Sequence, residues 1–114
     1  MVSIYHNPRC SKSRQTLALL EARGISPDIV LYLDTPPSAA ALKKLLKQLG
    51  ISARELLRKG EEAYKTNHLK DPSLSDDALI VAMTQFPKLI ERPIVIANNK
   101  AALGRPPENV LDIL

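Results

Sequence analysis

One cysteine in 114 residues is the scarcity that most narrows the chemistry open to this chain. A single thiol closes no internal disulfide, and neither a CxxC redox pair nor a four-ligand zinc site can be written into the sequence. Any redox chemistry must therefore recruit thiols from outside. The two histidines, His6 and His68, are far apart, so no metal site is supported either. Aromatics are also few: three Tyr, one Phe and no Trp. With a net charge of only +4, that argues against a nucleic-acid face of basic side chains and stacking rings. Apolar runs are a few residues long, which excludes a membrane span. Met1 leads into a strand pattern instead of the basic segment and apolar core of a secretory signal. The expectation is a cytoplasmic protein, with neither nucleic acid nor membrane among its partners.

What is present reads as one globular domain over residues 1–114, 45% apolar and 25% charged, with no repeat, low-complexity tract or linker. The charge is unevenly placed. Residues 1–14 hold Arg9, Lys12 and Arg14 with no acid, and residues 88–105 hold Lys88, Arg92, Lys100 and Arg105 against Glu91 alone. Basic excess in two segments, one of them containing the cysteine, fits a focused anion site.

The pattern along the chain begins with a short strand, Val2-Ser3-Ile4-Tyr5, then a loop from His6 to Cys10, then a helix from about Ser11 to Arg23 closed by Gly24. An apolar run from Ile29 to Leu33, bounded by Pro27 and Pro36-Pro37, predicts a buried strand, and the three elements form a right-handed βαβ unit. Ser38 caps a helix carrying Leu42, Leu45, Leu46 and Leu49 on one face, and Ser52 with Glu55 forms a capping-box pattern before Leu56, Leu57 and Arg58. Ser75 caps another, with Asp76-Asp77 complementing its dipole and Leu79, Ala82, Met83 and Phe86 on one face. Between them, Gly60 to Ser75 is weakly patterned and is expected to be mobile, with His68 a solvated loop residue. Ile94–Ala97 and Lys100–Leu103 flank Asn98-Asn99, a pair suited to a two-residue hairpin turn. Pro106-Pro107 opens a closing helix through Val110, Leu111 and Leu114. The order β-α-β, helical insertion, β-β-α predicts an α/β fold: a four-stranded mixed sheet with helices on its faces, the thioredoxin-like arrangement.

Cys10 carries the functional argument. A lone cysteine is most often an inert core residue, but Pro8, Arg9, Ser11, Lys12 and Ser13 are not core neighbours. A thiol in the first turn of a helix meets unpaired N–H groups and the positive end of the dipole, and Arg9, Lys12 and Arg14 add charge; all favour the thiolate. His6, ending a strand, is either hydrogen-bonded structure or an influence on Cys10. The C-x5-R loop of low-molecular-weight phosphatases is absent, because the sixth residue after Cys10 is Thr16.

His6-Asn7-Pro8-Arg9-Cys10-Ser11-Lys12-Ser13-Arg14 resembles the active-site loop of the glutaredoxin-coupled arsenate reductases, the ArsC family. Leu31-Tyr32-Leu33 before Pro36-Pro37, Arg54-Glu55-Leu56-Leu57-Arg58, Glu91-Arg92-Pro93-Ile94-Val95 and Gly104-Arg105-Pro106-Pro107-Glu108 are similar to that family in order and spacing, and the likeness covers essentially the whole chain. The chain looks like its short branch. The resemblance implies a thioredoxin-like fold in which Cys10 attacks arsenate and Arg58, Arg92 and Arg105 hold the oxyanion. It further implies that Ser13 supports the thiolate by hydrogen bonding and that His6 and Arg14 lie close to the site. Pro93 begins the strand after the helical insertion, where thioredoxin-like folds carry a cis proline, so the Arg92–Pro93 bond is expected to be cis. No tightly bound cofactor is implied; glutathione is the co-substrate and glutaredoxin the resolving partner. The chemistry agrees: arginine's permanently charged fork suits paired oxygens, and reduction of As(V) needs a second thiol that this chain lacks. Two alternatives stand beside this reading. One is a regulator like the Spx-type proteins that bind RNA polymerase, whose redox sensors use CxxC where this chain has Ser13 at the second position. The other is a glutathione-dependent thiol reductase of another substrate.

Overall fold

The structure is a computed structural model that describes all 114 residues. The chain forms two compact units, Met1–Thr35 with Arg92–Leu114, and Pro36–Glu91.

The first unit contains all four strands: β1 (Val2–Tyr5), β2 (Asp28–Val30), β3 (Ile94–Ala97) and β4 (Lys100–Leu103). Their order in the sheet is β2-β1-β3-β4, with β1 parallel to β2 and antiparallel to β3, and β3 antiparallel to β4. This is the mixed, thioredoxin-like sheet expected from the element order. Asn98 and Asn99 both adopt positive φ, 55° and 61°, so the hairpin turns in the two residues predicted. Helix α1 (Ser11–Ala22) crosses between β1 and β2. Ile4, Leu20, Val95 and Val110 are fully buried together, with Val2, Leu17, Ile25 and Ala102 packed against them. Burying such aliphatic side chains contributes about 1.5–3 kcal/mol each before chain entropy is counted.

Two elements of this unit differ from expectation. Strand β2 ends at Val30, because β1 ends opposite it and the His6 N–H takes the Val30 carbonyl at 2.9 Å. Leu31 then accepts N–H bonds from Asp34 and Thr35, closing a turn. That turn sends Tyr32 inward, where its ring stacks on Tyr5 at 6.3 Å. The closing segment, Pro107–Ile113, is a 3-10 helix instead of an α-helix. Pro106 and Pro107 offer no N–H to an α-helical first turn, and the Asn109 N–H closes instead on the Pro106 carbonyl at 3.0 Å.

The second unit contains α2 (Ala39–Leu49), α3 (Ala53–Leu56), α4 (Glu62–Thr66), α5 (Asp76–Gln85) and a 3-10 turn, Pro87–Leu89. Ser38 and Ser75 cap α2 and α5 by accepting the N–H of Ala41 and Ala78. Ser52 and Glu55 form a reciprocal capping box on α3. Leu42, Leu45, Leu56, Leu79, Met83, Leu89 and Ile90 are fully buried. The predicted helical stretch at 56–58 stops at Leu56, because Leu57 leaves in an extended conformation to bridge Ile90. Residues 60–75 contain the short helix α4, and its following loop is tied by the Arg54 guanidinium, which donates to the carbonyls of Leu69 and Asp71 at 2.9 and 2.8 Å. His68 is exposed, with φ 54°. No helix is long and apolar enough to cross a membrane.

Candidate active site

The end of β1 delivers the loop that holds the cysteine. Asn7 organises it from three atoms: its carbonyl accepts the Cys10 N–H at 3.0 Å, its Oδ1 accepts the Arg9 N–H at 3.0 Å, and its own N–H donates to Ser13 Oγ at 3.0 Å. Arg14 reaches back from α1, donating from Nη1 to the Pro8 carbonyl at 2.9 Å. Asn7 was not singled out in the sequence; the Asn-Pro dipeptide, a common turn signal, is the feature that marks it.

Cys10 is the N-cap residue of α1, is partly exposed, and makes no geometric capping bond through its side chain. Burial alone would push its thiol up. The Ser13 N–H, the charge of Arg92, the Lys12 N–H and a hydrogen bond from the Arg92 side chain together outweigh that and hold the thiol below its ordinary value. Ser13 thus acts on the sulfur through its backbone. Its hydroxyl, fully buried, lies 2.6 Å from His6 Nδ1 and accepts the Asn7 N–H. His6 is itself buried, and burial followed by the nearby Arg14 charge lowers its pKa below the ordinary imidazole value.

The hairpin brings the second group of residues. Ile94 pairs with Leu103, and the Gly104 N–H donates to the Pro93 carbonyl at 2.9 Å. The same register, continued by one residue, faces Arg105 with Arg92, and Arg105 Nη1 donates to the Arg92 carbonyl at 3.3 Å. The Arg92–Pro93 bond is cis, and so is Arg105–Pro106, which was not anticipated. Gly104 is required by proximity: a Cβ there would lie 2.5 Å from Thr16 Oγ1 and 2.8 Å from Pro93 Cγ. Thr16 is in turn fixed, donating from Oγ1 to the Lys12 carbonyl at 2.8 Å. His6, Cys10, Ser13, Arg14, Arg92, Pro93 and Arg105 all belong to this first unit.

Arg58 belongs to the second unit. There its N–H donates to the Leu89 carbonyl at 2.8 Å, and its guanidinium pairs with Glu61 at 2.7 Å and approaches Glu91 at 4.0 Å. The same unit carries an open cavity of about 590 Å³ lined by Lys59, Tyr64, Lys65, His68, Lys70, Asp71 and Pro72, which contains no cysteine and no arginine.

The chain matches a known family: the ArsC family model covers residues 5–113. The chain belongs to the ArsC family. Among its ArsC relatives, the uncharacterized protein YfgD of Escherichia coli K12 is 62% identical over 99% of this chain and 96% of its own. An arsenate reductase of Neisseria meningitidis is 52% identical over 99% of this chain and 97% of its own. A solved structure of an arsenate reductase from Vibrio cholerae superposes with a TM-score of 0.97 at 59% identity, covering 99% of this chain and 97% of its own.

Proposed function

We propose that this ArsC protein reduces arsenate to arsenite through a single cysteine, with the second thiol supplied by glutathione and glutaredoxin. The observation that carries the reading is the Cys10 thiol at the N-terminus of α1, held toward its charged form by the Ser13 and Lys12 N–H groups and by Arg92. The arsenate reductases among its relatives support the choice of oxyanion.

The Cys10 thiolate attacks arsenic and forms an S–As bond, and one arsenate oxygen leaves as water after taking up protons. An external thiolate then attacks the Cys10 sulfur. The S–As bond breaks with its electron pair left on arsenic, giving arsenite and a mixed disulfide at Cys10. A second external thiol resolves that disulfide and restores the Cys10 thiolate. Per turnover, one arsenate and two thiols become one arsenite, one disulfide and one water. Arg92 and Arg105 are the proposed oxyanion holders, since each offers a planar, permanently charged fork for the oxygens and for the charge that develops as the As–O bond breaks. Arg58, in the other unit, is already paired with Glu61 and approached by Glu91.

The test couples glutathione, glutaredoxin and glutathione reductase to NADPH oxidation, with and without arsenate. Arsenate-dependent consumption is expected, abolished by Cys10→Ser and lowered about 10²–10³-fold by Arg92→Ala or Arg105→Ala. Phosphate and sulfate should inhibit weakly, because they bind without being reduced. No arsenate-dependent oxidation by the wild type overturns the proposal.

A further inference from the structure

Five cationic side chains, Arg9, Lys12, Arg14, Arg92 and Arg105, lie in the sequence around Cys10 and its hairpin partner, and three of them are engaged. Arg14 is committed to the Pro8 carbonyl, Arg92 acts on the Cys10 sulfur, and Arg105 donates to the Arg92 carbonyl. Arg9 is different. It is exposed, and its guanidinium makes no hydrogen bond or ion pair. Its backbone, by contrast, is held: the Arg9 N–H is bound to Asn7 Oδ1, and the next N–H, that of Cys10, to the Asn7 carbonyl. A fixed backbone anchoring an uncommitted cation directly before the nucleophile is suited to a partner that arrives from solvent and reacts at the sulfur.

We infer that Arg9 selects the external thiol by pairing with its carboxylate. This rests on the proposed reaction, in which that thiol attacks the Cys10 sulfur. The chemical class is a small thiol carrying carboxylates on flexible arms several bonds from sulfur, and glutathione is the probe. A neutral thiol presents nothing for the guanidinium to bind. An exposed guanidinium–carboxylate pair is weak when single and stronger when both fork nitrogens engage. The expected discrimination is therefore about three- to tenfold.

Disulfide exchange isolates this step without arsenate. The Cys10 thiolate attacks one sulfur of glutathione disulfide; a Cys10–glutathione disulfide forms, the original S–S bond breaks, and one glutathione leaves as thiolate. The same exchange with bis(2-hydroxyethyl) disulfide is the neutral reference, and both are followed by mass spectrometry of the intact protein. In Arg9→Ala, the ratio of the glutathione rate to the neutral rate should fall about three- to tenfold from wild type, and Arg9→Lys should recover part of it. Alkylation by iodoacetate relative to iodoacetamide reports the general field at the sulfur, and that ratio should fall much less. An unchanged disulfide ratio overturns the inference, and so does an iodoacetate ratio that falls as far as the glutathione ratio. Because no arm contains arsenate, failure of the arsenate assay with an intact disulfide result removes the oxyanion assignment and leaves the thiol subsite standing.

Discussion

At Cys10, burial pushes the thiol up while the Ser13 N–H and Arg92 pull it down, and the net effect favours the thiolate. The rate of alkylation by iodoacetamide against pH should therefore inflect below the position of an ordinary free thiol. Arg92→Ala should raise that inflection clearly. Ser13→Ala should raise it less, because Ser13 reaches the sulfur through its N–H while its hydroxyl serves His6 and Asn7. The same variant leaves a part-buried N–H and a buried imidazole without their oxygen, which should cost about 1–3 kcal/mol in urea unfolding. An inflection that moves equally in both variants contradicts this division of labour. His6 yields a prediction of opposite kind. Its folded pKa is depressed, so the unfolded chain binds the proton first as pH falls through about 6.5. The stabilisation from neutral His6 is complete above that pH and is lost as the pH drops toward the folded value. Unfolding free energy measured between pH 7.5 and 5 should fall more steeply for wild type than for His6→Gln.

Among the elements, Gly104 is the position where backbone economy matters most, since Thr16 and Pro93 occupy the space a methyl would need. Neither neighbour is a flexible tip: Thr16 is bonded to Lys12, and Pro93 is a ring. Gly104→Ala should cost about 1–3 kcal/mol, read as a lower urea midpoint, and a midpoint equal to wild type would show that the hairpin and α1 separate freely. Elements such as α2, α3 and α5 were legible because Ser38, Ser52 and Ser75 mark their starts and a capping hydroxyl is a local event. The hairpin was legible for the same reason: Asn98-Asn99 announces its own turn. Strand β2 was read too long because Ile29 to Leu33 is apolar throughout. What stops it is the length of β1, a partner distant in sequence. Helix α4 escaped notice because it has one buried residue, Tyr64, and so no period to detect. The 3-10 ending reflects where Asn109 finds an acceptor, which periodicity does not encode. Cys10, Ser13 and Arg92 were legible as residues, but Asn7's bonds to the loop appear only once the chain is folded.

On the scale of the whole molecule, sheet order explains how residues far apart in the chain assemble. Tyr5 pairs with Ile94, and Ile94 with Leu103, so the end of β1, the start of β3 and the end of β4 lie at one end of the sheet. The loop to Cys10 leaves from the first, Arg92 precedes the second, and Arg105 follows the third. The unit holding them is discontinuous, residues 1–35 and 92–114, whereas residues 36–91 form a continuous unit of helices. In the discontinuous unit the two segments are joined by the β1–β3 pairing and by the cluster of Ile4, Leu20, Val95 and Val110, so strand pairing and apolar packing should be lost together. Native-state hydrogen exchange tests this. Leu20→Ala, which removes most of a fully buried side chain, should cost about 2–5 kcal/mol, and amides of β1 and β3 should lose protection in parallel. Met83→Ala, in α5, should lower protection of α5 and the Leu57–Ile90 bridge before it affects β1 and β3. If Leu20→Ala instead frees the β3–β4 hairpin while β1 stays protected, the two segments are not one cooperative unit, and the sheet is not what keeps Arg92 at the sulfur.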